Sequence, residues 1–250
     1  MDRREFLKLT AAGFAATSLP LRVSAAPAGI RVVLFDAFPV FDPRPVFALV
    51  KQMYPEQGQA LTELWRTRQF EYTWLRTLTG RYQDFWSVTR DALRFSAKTL
   101  KLEMSAADEE RLMGAYLKLK AWPDAADALR TLKAAGLKLA FLSNFTRGML
   151  DAGIANSGLE GVFDKVLSTD LAGAFKPDAR AYHLGVDAFG LPKEQMLFAA
   201  FAGWDAAGAK AFGYPTFWVN RLGQPAEELG AAVDGSGAGL AELLAYVKPA

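Results

Sequence analysis

The stretch Ile30-Arg31-Val32-Val33-Leu34-Phe35-Asp36 is a short apolar, β-branched run that stops on a carboxylate, and it reads as a buried strand. From Arg44 to about Ala121 the pattern turns helical, with long stretches at Leu61 to Thr79 and Phe85 to Leu102 and no strand signal. After Trp122 helix and strand alternate. Helical Ala125 to Ala135 precedes an apolar run from Leu137 to Leu142, and a helix to about Ser157 precedes Phe163 to Leu167. The helix Asp178 to Phe189 leads to Met196 to Phe201, and Trp204 to Phe212 leads to Thr216 to Val219. Strands separated by helices of this length predict an α/β fold with a parallel, Rossmann-like sheet. The core domain is expected from residues 29-43 and 122-250, with 44-121 inserted as a helical cap domain. The Gly-rich segment from Gly230 to Gly239 reads as a surface loop before a last helix.

Ahead of the first strand, Arg3-Arg4-Glu5-Phe6-Leu7-Lys8 is followed by thirteen uncharged residues, Leu9 to Leu21, and by small residues at Ser24-Ala25-Ala26. That order, basic then apolar then small, is the order of a secretory signal. The paired arginines resemble the twin-arginine type, which predicts export of a folded protein to the periplasm with residues 1-26 as the signal peptide. Thirteen residues are too few to span about 30 Å of hydrocarbon, so no stable membrane insertion is expected once cleavage occurs near Ala25 to Ala28.

The chain has 250 residues, 29 Lys and Arg against 27 Asp and Glu, one His and no Cys. The signal segment carries four basic and two acidic residues, the whole of the formal excess of +2. A neutral remainder lacks the basic footprint of a nucleic-acid binder. Without Cys, neither a disulfide nor a thiolate centre can form, and with His183 alone no multi-histidine metal site can. Any catalysis falls mainly to carboxylates and lysine.

Ligands of open α/β sheets bind beyond the carboxyl ends of the strands. The polar residues at those positions are Asp36, Ser143-Asn144, Lys176 and Asp205. Each has a plainer reading: a capping Asp at 36, an N-cap at Ser143 or Asn144, a solvated loop cation at Lys176, a helix cap at Asp205. Together they supply an anion, a polar donor, a cation and a second anion at successive strand ends.

These residues carry a resemblance to the haloacid dehalogenase superfamily. Its four motifs are matched by Leu34-Phe35-Asp36, Leu142-Ser143-Asn144, Phe175-Lys176-Pro177-Asp178 and the region of Asp205. Within it, the chain is similar to the type II (S)-2-haloacid dehalogenases through Leu64-Trp65-Arg66, Glu71-Tyr72-Thr73-Trp74-Leu75-Arg76, Asp91-Ala92-Leu93-Arg94-Phe95 and Trp204-Asp205-Ala206-Ala207-Gly208-Ala209. The resemblance implies a metal-independent hydrolase without cofactor that converts small (S)-2-haloalkanoic acids to 2-hydroxy acids through an ester on Asp36. Arg66 would hold the departing halide, and Ser143 and Asn144 the substrate carboxylate. Lys176 would keep Asp36 ionised, Asp205 would activate water, and Phe38, Phe85, Tyr182 and Trp204 would line the pocket. A homodimer is the family-level expectation.

Magnesium phosphatases of the superfamily carry a second Asp two residues after the nucleophile and a partner acid near the fourth motif. Here those places hold Phe38 and Phe201, a poor start for an oxygen-rich site. The chain also departs from the dehalogenase pattern. Pro39-Val40 stands where Gly-Thr is usual, and Ala200-Phe201-Ala202-Gly203 where Ser-Ser-Asn-Ala is usual. Loss of polar groups at Val40, Ala200 and Ala202 near the nucleophile, water and halide leaves a second reading open, a drifted homologue that binds a small carboxylate. A phosphatase is the third.

Overall fold

The computed structural model describes residues 29-247; the signal-like segment and its export reading lie outside them. Six strands form one fully parallel sheet: β1 (Val32–Phe35), β2 (Lys138–Ser143), β3 (Lys165–Ser168), β4 (Met196–Ala200), β5 (Thr216–Val219) and β6 (Gly235–Gly237), in spatial order β3-β2-β1-β4-β5-β6. The chain builds outward from β1 in one direction and then, from β4, in the other. The crevice where that order reverses lies at the end of β1, beside Asp36.

All four β1 residues are wholly buried, which is why the strand reads as a continuous apolar run rather than an alternating one. The pleat sends Val33 and Phe35 to one core layer, with α6 (Ala125–Ala134), α7 (Arg147–Asn156) and α10 (Leu240–Val247). Val32 and Leu34 go to the other, with α8 (Ala179–Phe189) and α9 (Gly203–Phe212). Gly208 lets α9 approach closely: a Cβ there would stand 2.7 Å from the Tyr182 hydroxyl and 2.8 Å from Pro177.

Residues 44-118 contribute helices and no strand among the described residues: α2 (Arg44–Met53), α3 (Gly58–Leu78), α4 (Phe85–Thr99), α5 (Ala106–Ala115) and a 3-10 turn at Tyr116–Lys118. Trp65 and Gln69 of α3 bind Thr89 of α4 through hydrogen bonds of 2.8 and 2.7 Å. Arg76 pairs with Asp91, and Arg94 with Glu109, so charges within the dehalogenase-like stretches hold this block together.

The Gly230 to Gly239 segment corrects the sequence reading. Part of it, Gly235–Gly237, is the edge strand β6, paired to Phe217 through Val219. It lacks β-branched residues because it lies against aromatic rings, where a Cβ on Gly235 would be 2.9 Å from Tyr246 and 3.0 Å from Phe217. The strand signal was therefore invisible to pattern.

Candidate active site

Asp36 ends β1 and caps a four-residue helix, α1 (Ala37–Val40), its Oδ2 accepting from the Phe38 N–H at 3.3 Å. The capping reading is thus met. Oδ1 accepts from Ser143 Oγ and from Lys176 Nζ, each at 3.0 Å. Lys176 is 1% exposed, not a solvated loop cation, and also donates to Asp205 Oδ2 at 2.6 Å. One ammonium therefore sits between two carboxylates. Burial opposes its charge, but attraction to Asp205 and then Asp36 outweighs burial and holds the Lys176 pKa above its ordinary value.

Asp205 lies in the first turn of α9, whose cap position is Ala202, so it is not itself the cap. It is 2% exposed. Burial first, and the Asp36 charge as well, push its carboxyl up to about 6 against the opposing pull of Lys176. The Tyr182 hydroxyl faces its Oδ1 at 2.7 Å. Tyr182 was expected in the substrate pocket; it is instead wholly buried and reaches the site only through Asp205. Its own pKa stands well above the usual value, chiefly through burial.

Neither Ser143 nor Asn144 caps the next helix, because Thr146 does. The Ser143 hydroxyl is committed to Asp36. Asn144 Oδ1 accepts from the Lys176 N–H at 3.0 Å and thereby fixes the turn that carries the lysine. Its position in the cleft wall leaves the amide NH2 as a donor available to a carboxylate.

These groups open onto a narrow cleft, lined by Asp36, Ser143, Asn144, Lys176 and Asp205 on the sheet side and by Arg66, Gln69 and Phe85 from the helical block. Phe38 and Trp204 line it as expected. Sequence reasoning missed Phe47, Phe70, Phe145 and Phe201, whose rings complete the walls. Phe38 packs edge-on to Phe145 at 5.1 Å and tilted to Phe201 at 5.5 Å, and Trp204 packs on Phe70 at 5.3 Å. Arg66 stands over the Phe47 ring at 5.0 Å and, among the described residues, pairs with no carboxylate. Of the three positions that lack the usual polar side chain, only Ala202 lines the cleft. Ala200 and Val40 are wholly buried in the two core layers, so neither position leaves a gap beside Asp36.

A carboxylate held by three donors, in an apolar cleft with a spare cation and a second carboxylate, is equipped to attack carbon or phosphorus covalently and then to admit water. Fold and site together define a hydrolase of the α/β class. The sequence matches the haloacid dehalogenase-like hydrolase family over residues 30–213, and the chain belongs to that family. It is 42% identical over 206 residues to an (S)-2-haloacid dehalogenase of Pseudomonas sp. strain YL, covering 82% of this chain and 89% of that one. A solved L-2-haloacid dehalogenase superposes with a TM-score of 0.86 at 42% identity, over 88% of this chain and all of the other. The Xanthobacter autotrophicus L-2-haloacid dehalogenase, solved with chloropropionic acid covalently bound, gives 0.80 at 37% identity, over 86% and 97%.

Proposed function

We propose that the chain hydrolyses small (S)-2-haloalkanoic acids to 2-hydroxy acids and halide through an ester on Asp36. The observation that carries this reading is the division of labour on Asp36, which lines the cleft: Oδ1 takes two donors at 3.0 Å, while Oδ2 has one long contact. Oδ2 attacks C2 of the substrate, the carbon–halogen bond breaks, and the halide leaves with its electron pair toward Arg66, a fixed cation without a carboxylate of its own. The ester then has Oδ1 as its carbonyl oxygen. Ser143 and Lys176 are already placed to stabilise the negative charge that develops there when water adds to the Asp36 carboxyl carbon. Ionised Asp205 takes one proton from that water and returns it to the leaving C2 oxygen as the acyl–oxygen bond breaks; the 2-hydroxy acid departs, and the second water proton is lost to solvent as the free carboxylate of Asp36 is restored. The likeness to a protein solved with chloropropionic acid covalently bound supports the ester. Phe38 and Phe201 in place of carboxylates support chemistry without a metal.

The twin-arginine-like start supports export to the periplasm, testable by fractionating cells that express the chain and a variant with Arg3 and Arg4 replaced by lysine. Exposed Leu75 and Leu78 on α3 give a homodimer apolar surface, testable by light scattering. No described helix is long and apolar enough to cross a membrane.

Ala202 favours one second reading, a homologue that binds a carboxylate and stalls as the ester, because no side-chain amide or hydroxyl at that position helps to hold water. Halide release from (S)-2-chloropropanoate, insensitive to chelator, is the expected result. Intact mass spectrometry after incubation separates the two readings, since an accumulated adduct without turnover indicates the stalled enzyme. Chelator-sensitive phosphate release from phosphomonoesters, with no halide release, would overturn both.

A further inference from the structure

The site cleft is bordered at Ala202 by a second, open cleft: five residues, Arg66, Phe70, Phe201, Ala202 and Trp204, line both. This shared wall is the neck between them. The neck's aromatic walls are fixed: Trp204 packs edge-on to both Phe70 and Trp74, and the Phe201 carbonyl accepts from Trp218 Nε1 at 3.0 Å. Ala202 is the small side chain among the five. Any larger residue there narrows the passage.

Beyond the neck, Trp218, Leu222, Pro225 and Ala226 offer apolar surface, and the open cleft also carries Glu63 and Glu227. Arg66 is the one cation that lines both clefts and stands at the neck itself. Beyond it an anionic extension would meet Glu63 and Glu227, whereas a hydrocarbon chain would lie along Trp218, Leu222 and Pro225, between the polar Thr67, Asn220 and Gln224. We propose that this open cleft is a subsite for the uncharged alkyl tail of longer 2-haloalkanoates, and that Ala202 sets its admission. The proposal rests on the dehalogenase reading and narrows its substrate class. The carboxylate and halogen stay between Asn144, Asp36 and Arg66, and the chain from C3 onward passes Ala202 toward Trp218 and Leu222.

The test compares kcat/KM for (S)-2-bromopropanoate, (S)-2-bromohexanoate and (S)-2-bromooctanoate in the full chain. Burial of tail carbon predicts a gain of about threefold to fourfold for each methylene that enters the subsite. Ala202→Leu and, from the far side of the neck, Leu222→Asp are each expected to lower the octanoate-to-propanoate ratio by about tenfold or more. Calorimetric binding of halogen-free propanoate and octanoate gives a readout independent of turnover, and the octanoate preference should vanish in Ala202→Leu. A wild-type kcat/KM that falls with chain length overturns the proposal. So does an Ala202→Leu variant that slows every chain length equally, which would mark the neck as a halide or water path. If no acid releases halide yet octanoate binds in preference and loses that preference in Ala202→Leu, the dehalogenase reading fails and the tail subsite stands.

Discussion

Two cations face one cleft, Lys176 from the sheet and Arg66 from the helical block, and their settings are opposite. Lys176 is sealed beneath the surface and shared by Asp36 and Asp205, so its charge is consumed within the protein. Arg66 is half-buried over a phenyl ring with no carboxylate partner among the described residues, so its charge is open to whatever enters. A buried ion between two carboxylates is suited to maintain the charge state and position of the proposed nucleophile. A cation with an open face receives a leaving anion. The lower half of the site is therefore a finished electrostatic unit, while the upper half is completed by ligand.

Four substitutions test that division. Asp36→Asn keeps the shape and removes the proposed nucleophile; halide release should fall by roughly a thousand-fold or more, with the melting temperature little changed. Lys176→Met strands two buried carboxylates, and the expected cost of about 3–5 kcal/mol should lower the melting temperature by roughly 10 °C as well as the rate. Arg66→Gln should cost about a hundred-fold in halide release and leave thermal unfolding nearly unaltered. A comparable loss of stability in both cation variants would erase the contrast between them.

The fourth effect is on pH dependence. On the proposed mechanism Asp205 must be ionised to take a proton from water, and in the free enzyme burial, with the Asp36 charge as a further cause, pushes its carboxyl up to about 6. Esterified Asp36 carries no charge, so the midpoint in the ester lies lower; single-turnover ester hydrolysis should fall at acid pH and level off above about 6, whereas Lys176 stays protonated across this range. Tyr182→Phe removes a hydrogen bond that favours the carboxylate, so the midpoint should move upward, with about a tenfold rate loss below the wild-type midpoint. A midpoint unmoved in this variant would sever Tyr182 from the water-activating group.

Much of the lower half was legible before any coordinates, because strand ends in a parallel sheet converge and each of Asp36, Ser143, Lys176 and Asp205 follows or ends an apolar run. The upper half was legible only through resemblance. Nothing in the helical periodicity distinguishes Arg66 from Arg68, yet Arg68 pairs with Glu71 and Arg66 faces the cleft. The partial misreading of Tyr182 has the same root: its position on α8 shows that it is buried, not that Asp205 stands between it and the cleft. The three departures separated only in space. Val40 and Ala200 are core residues, and Ala202 alone alters the cleft.

The sequence by itself determined the parallel α/β architecture and the order of the chemical groups along it, because hydrophobic period and strand-end position are local properties of the chain. Tertiary structure decided which cation is consumed and which is open, which aromatics form walls, and that a second cleft adjoins the first at Ala202. Those are distances between residues far apart in the chain, and they exist only once the helical block has packed over the ends of β1 and β4.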